Sequence, residues 1–89
     1  MKKYIISFRY LEVADPELAI KIRAKIESLS PDTWIHVLEN QLLVQSEKNI
    51  EEIYSYLSSE LKNVRLSIAQ FDKIFINDGF MSELESHNY

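Results

Sequence analysis

The sequence predicts an α+β sandwich, and three observations carry that expectation. Four short segments alternate apolar and polar residues, and two longer ones repeat apolar residues at helical spacing. They follow one another as strand, helix, strand, strand, helix, strand. Two helices that each bury one apolar stripe need a common sheet face, and four strands supply it. The expected result is the ferredoxin-like βαββαβ arrangement, a four-stranded antiparallel sheet with both helices on one face.

Each element has its own signal. Tyr4, Ile6, Phe8 and Tyr10 alternate with Ile5, Ser7 and Arg9 in a first strand. Asp15-Pro16-Glu17 starts a helix, with Asp15 as N-cap and proline in the first turn, where a missing N–H is harmless. Leu18, Ala19, Ile22, Ile26 and Leu29 form its stripe, and Ser30-Pro31-Asp32 stops it. Residues 33–38 and 41–46 make a hairpin around Glu39-Asn40. A tight turn there places Ile35 and Val37 on one face with Leu42 and Val44, and Trp34, His36, Gln41, Leu43 and Gln45 on the other. Asn49 and Glu52 have capping-box spacing ahead of a second stripe, Ile50, Ile53, Tyr54, Leu57 and Leu61. Ile20 and Tyr56 fall off the two stripes and are expected to be partly exposed. Val64, Leu66 and Ile68 alternate with Arg65, Ser67 and Ala69 in a fourth strand. Residues 73–76 predict a short fifth strand as a C-terminal extension, closed by Asn77-Asp78-Gly79. Phe80, Met81 and Leu84 then suggest a helical turn or two before a polar tail. The expected organisation is a ferredoxin-like domain over residues 1–79 and a short helical turn with a polar tail over 80–89.

At 89 residues the chain holds one small domain. It has no cysteine, which excludes disulfides, thiolate metal sites and cysteine nucleophiles. No apolar run reaches the roughly 18 residues of a membrane span. The apolar stretch after Lys2 and Lys3 meets Arg9 too soon for a signal peptide, so a cytoplasmic protein is expected. Net charge is −4 and unevenly spread. Residues 1–25 carry six basic and three acidic groups, and residues 26–89 carry four basic and eleven acidic.

With both helices on one face, the other face collects Ser7, Arg9, Trp34, His36, Gln41, Gln45, Arg65 and Ser67, with Ile5, Leu43 and Ala69 adding apolar area. Such a mixed face suits a protein interface, for which Trp34, His36, Leu43, Ile74, Phe75, Ile76 and Phe80 are the candidate residues. Arg9, Lys21 and Lys25 are the candidate contacts to nucleic acid. The third strand has no aromatic residue on which bases could stack, so the RNA-recognition signature is absent. No nucleophile stands at a diagnostic distance from a base, and lone Gly79 makes no phosphate loop. Neither catalytic residues, nor a metal site, nor a cofactor follows from the residues.

Tyr4-Ile5-Ile6-Ser7-Phe8, then Trp34-Ile35-His36-Val37-Leu38-Glu39-Asn40 running into Leu42-Leu43-Val44, then Ser46 to Glu51-Glu52-Ile53 and Leu57, resemble the CRISPR-associated protein two family and its SinR-like relatives. The resemblance spans roughly residues 4–76. It implies a homodimer in which the extra strand, residues 73–76, crosses to the partner sheet. It also implies a metal-binding aspartate closing the first strand in a Tyr-Asp pair, where this chain has Phe8-Arg9. A nuclease needs that carboxylate to hold Mg²⁺ and activate water, and arginine supplies neither function. The expectation is therefore a non-catalytic, dimeric interaction module that binds another protein, including as an acidic inhibitor of a nucleic-acid-binding protein. The alternative is a metal-dependent endonuclease or nucleic-acid-binding protein of the same family.

Overall fold

The computed structural model describes residues 1–11 and 16–89. Four strands, β1 (Lys2–Tyr10), β2 (Ile35–Leu38), β3 (Gln41–Ser46) and β4 (Val64–Gln70), form one antiparallel sheet in the order β2-β3-β1-β4. Helices α1 (Pro16–Glu27) and α2 (Ile50–Leu57) lie on one face. A 3₁₀ turn, Ser58–Glu60, extends α2, and α3 (Met81–Ser86) follows β4 after an irregular stretch. Asp15, the expected N-cap of α1, lies outside the described residues.

The alternation in β1 does what the pattern requires. Tyr4, Ile6 and Phe8 are buried beside Leu42 and Val44 of β3 and Val64 of β4, and Ile22, Ile26, Ile53 and Leu57 cover them from the helices. Asn49 caps α2 in a full capping box: its Oδ1 accepts the Glu52 N–H at 2.9 Å, and its own N–H donates to Glu52 Oε1 at 3.0 Å. Tyr54 departs from its expected place on the buried stripe and is 56% exposed, because α2 is only eight residues long and rides on Ile53 and Leu57. Ile20 and Tyr56 are exposed, as their off-stripe positions require.

Three features depart from the sequence reading, and all concern the other sheet face. That face is not left open, since a second apolar cluster of Ile35, Leu43 and Leu84 forms on it, flanked by Ile5, Val37, Phe71, Ile74, Ile76, Phe80, Met81 and Tyr89. Residues 73–76 form no strand. The chain leaves the sheet after Phe71, whose N–H reaches the Lys3 carbonyl at 3.0 Å, and then crosses the face instead of pairing at an edge. Ile74 and Ile76 point inward and Phe75 is 80% exposed, so the alternation is real but marks extended backbone lying face-on. Lastly, β2 has the opposite parity to that expected. Leu38 pairs with Gln41, yet His36 pairs with Leu42 and Ile35 with Leu43, so a bulge at Val37 inserts one residue. One residue of slip turns every side chain beyond it to the other face. Ile35 therefore joins Leu43 under α3, and His36 stays exposed.

The C-terminal residues are held by specific bonds. Gln45 Nε2 donates to the Asn88 carbonyl at 2.9 Å, the Tyr89 N–H donates to the Leu84 carbonyl at 2.9 Å, and the Tyr89 and Phe71 rings stack at 6.3 Å. The Tyr89 hydroxyl is buried and makes no hydrogen bond. Burial pushes its pKa up to about 12, with the nearby Ser30 and Thr33 hydroxyls pulling weakly the other way. Tyr4 is also raised, by burial first and then by the charges of Glu51 and Glu52; its hydroxyl donates to the Lys48 carbonyl at 2.8 Å. Among the described residues no helix is long and apolar enough to cross a membrane.

Candidate functional site

Three concave surfaces bear on function. The largest, about 590 Å³, opens beside β2 where the loop after α1 meets α3. It is lined by Pro31, Asp32, Trp34, Ile35, His36, Phe80, Glu83 and His87. Trp34 comes just before β2, 36% exposed, with its backbone N–H tied to the Ser30 carbonyl at 2.9 Å. Both histidines are oriented by backbone: His36 Nε2 bonds the Glu39 carbonyl at 2.7 Å, and His87 Nδ1 bonds the Glu83 carbonyl at 2.9 Å. The lining holds two carboxylates and no lysine or arginine.

Of the candidate interface residues, Trp34, His36 and Phe80 meet in this cleft. Leu43 is fully buried, Ile74 and Ile76 pack beside it, and Phe75 stands apart in solvent. Asp32, Glu83 and His87 were not singled out by sequence reasoning as site residues. They reach the cleft only because α3 folds back over the sheet, which no local signal announces.

The candidate nucleic-acid contacts do not come together. Arg9 lies on the sheet face opposite α1, whereas Lys21 and Lys25 belong to α1. Lys25 is engaged with α2 and its extension, donating to Ser59 Oγ at 2.8 Å with its ammonium 4.9 Å from the Tyr56 ring centre.

Arg9 instead meets Arg65, directly opposite it across β1 and β4. A shallow cavity of about 190 Å³ lies there, lined by Ser7, Phe8, Arg9, Arg65 and Ser67. The resemblance implies a divalent metal at the end of this strand, and these residues do not fit one. Two guanidiniums repel a cation, and among the described residues no carboxylate lines the cavity. Among the described residues no three histidine, aspartate or glutamate side chains converge as a metal site.

The third surface is a groove of about 480 Å³ between α2 and β4, lined by Ile50, Glu51, Tyr54, Ser55, Leu66 and Ile68. Beside it runs the outer edge of β4, which no strand covers among the described residues. Set against protein-family models, curated proteins and solved structures, the chain finds no match.

Proposed function

We propose that the chain is a non-catalytic, ferredoxin-like interaction module that works as a homodimer and binds another protein through a basic side chain seated beside Trp34. In this reading it is a relative of the CRISPR-associated protein two and SinR-like proteins in which Arg9 has replaced the metal-binding aspartate. The observation that carries the proposal is the composition of the cleft beside Trp34: an indole, Asp32 and Glu83, with two histidines held by backbone carbonyls and no lysine or arginine in the lining. A guanidinium or ammonium group gains there a π face and two carboxylates, whereas a phosphate meets two like charges. Exposed Glu85 on α3 beside Glu83, and exposed Glu39, whose carbonyl holds His36, add to the acidic field that would steer a basic partner.

The β4 edge supports the dimer. The Phe71 N–H donates to the Lys3 carbonyl and the Leu11 N–H to the Asn63 carbonyl, so by alternation the odd-numbered residues of β4 face β1. Leu66, Ile68 and Gln70 therefore turn their backbone groups outward. Antiparallel self-pairing about Ser67 places Leu66 opposite Ile68 of the second copy and Arg65 opposite its Ala69. It supplies about six backbone hydrogen bonds and sets no like charges opposite one another. The two α2–β4 grooves then close against each other with both Tyr54 rings inside.

Trp34 is the sole tryptophan, so its fluorescence reports the cleft directly. Titration with a tetra-arginine peptide is expected to change that emission saturably, and the Asp32→Asn/Glu83→Gln variant to abolish the change. A response equal in the variant, or none in the parent chain, overturns the proposal. EDTA-sensitive cleavage of labelled RNA or DNA with Mg²⁺ would overturn the non-catalytic assignment and favour the endonuclease alternative.

A further inference from the structure

We propose that the cavity between Arg9 and Arg65 is a binding site for a phosphate-type oxyanion, inorganic phosphate or a small phosphate monoester. The two arginines occupy a hydrogen-bonded pair position in the β1–β4 ladder, where Cα atoms stand about 5.5 Å apart and both side chains leave the same face. Like charges placed directly opposite on neighbouring strands are destabilising. Both side chains are exposed, and neither forms an ion pair with a described residue. The adjoining pairs on this face are Ser7 with Ser67 on one side and Leu11 with Asn63 on the other, and Ser7 also faces Gln41. Among the described residues, no aspartate or glutamate lines this cavity.

The cavity wall is mostly apolar, and the polar side chains among its described lining residues, Ser7, Arg9, Arg65 and Ser67, each carry a donor. Each guanidinium offers a planar fork matched to two oxygens of an oxyanion. Ser7 Oγ already accepts from Gln41 Nε2 at 3.1 Å, which leaves its own O–H to donate outward, and the Ser67 hydroxyl lies across from it. A tetrahedral dianion uses this donor set and balances both positive charges, whereas a carboxylate balances one. The volume equals that of about six water molecules, enough for a phosphate and the first atoms of its carrier. The segment that covers the rest of this face packs around Ile5, Leu43 and Ile35, so this end of the sheet stays open. The cavity shares no residue with the Trp34 cleft, so the two ligand sites fail independently, whereas Arg65 and Ser67 also lie on the β4 edge of the proposed dimer and the calorimetry is run beside sedimentation equilibrium of the same samples.

Calorimetry at constant ionic strength, with inorganic phosphate in one arm and glycerol 3-phosphate in another, tests the site. Saturable binding in at least one arm is expected, weakened about ten-fold or more in Arg9→Gln and in Arg65→Gln. Stronger binding in the second arm assigns the monoester as ligand. Thermal melts give an independent reading. In phosphate-free buffer Arg65→Gln and Arg65→Glu are expected to melt above the parent chain, because the like-charge pair is gone, and saturating phosphate is expected to reverse that order. An equal response to chloride, equal binding in the variants, or binding of a single-stranded oligonucleotide but of neither small phosphate overturns the proposal.

Discussion

Replacing Leu84 with alanine tests whether the second apolar layer is part of the folded unit or an appendage. Leu84 is 1% exposed and packs with Ile35 and Leu43. Three carbon atoms are removed, about 2.4 kcal/mol at about 0.8 kcal/mol for each buried methylene. The cavity left behind adds to this, and such substitutions span roughly 2–5 kcal/mol. Because α3 is a six-residue helix packed on one side only, it can settle inward, which favours the lower half of that range, about 3 kcal/mol. A domain of this size holds roughly 5–13 kcal/mol in all, so the loss is a large share of it and corresponds to about 15 °C or more in melting temperature. Urea unfolding followed by Trp34 fluorescence and by far-ultraviolet dichroism measures it, with coincident transitions expected. Phe75→Ala, at an 80% exposed neighbour of the same segment, is expected to change stability by under about 0.5 kcal/mol. A Leu84→Ala loss as small as the Phe75→Ala loss, or a Trp34 transition well ahead of the dichroic one, refutes the view that α3 and the sheet unfold together.

Tyr89→Phe removes a buried hydroxyl that has no partner and is expected to stabilise the chain by about 1 kcal/mol at neutral pH. With the Tyr89 pKa at about 12 against 10.0 for a free tyrosine, the folded state holds its proton longer than the unfolded state. The parent chain should therefore keep this contribution below about pH 10 and lose about 1–2 kcal/mol between pH 10 and 12, after allowance for partial exposure. Melts of the phenylalanine variant across that range should show the smaller fall; equal slopes would remove Tyr89 as the cause. Asn49→Ala removes the side-chain half of the capping box, the bond from the Glu52 N–H to Asn49 Oδ1, and is expected to cost about 1 kcal/mol, or several degrees of melting temperature, measured by differential scanning calorimetry. For the dimer, Ala69→Lys sets a positive charge opposite Arg65 of the second copy and is expected to weaken association in sedimentation equilibrium. Ala69→Glu is expected to strengthen it, and equal effects of the two variants would exclude the β4 register proposed.

What the sequence made legible follows local rules. Strand alternation in Tyr4–Tyr10, the stripe Ile22–Ile26, the Asn49–Glu52 box and the turn at Asp78-Gly79, both with positive φ, each depend on residues a few positions apart. The misreadings depend on partners far along the chain. A two-residue turn at Glu39-Asn40 fits its hairpin with or without a bulge at Val37, and only burial of Ile35 beneath Leu84, nearly fifty residues later, chooses the bulged form. The same holds for residues 73–76, whose alternation is compatible with an edge strand and with extended chain lying across a face.

These two ambiguities have one physical source, and it also places the candidate sites. The sheet face away from α1 and α2 is apolar at Ile5, Leu43, Ile35 and Val37, and polar at Ser7, Arg9, Arg65 and Ser67. The apolar end must be covered, and Phe71, Ile74, Ile76, Phe80 and Leu84 provide enough area to cover it within the chain. Covering it fixes the parity of β2 and brings Glu83 and His87 up to Trp34, so the largest cleft is a by-product of closing the second layer. The polar end has nothing to attract that segment and stays bare. Ser7 and Ser67 alone would need no covering, whereas two arginines in register repel each other, a repulsion that the proposed anion would relieve. The acidic cleft and the basic cavity thus sit at the margins of one apolar patch, and their opposite charges fit them to ligands of opposite sign.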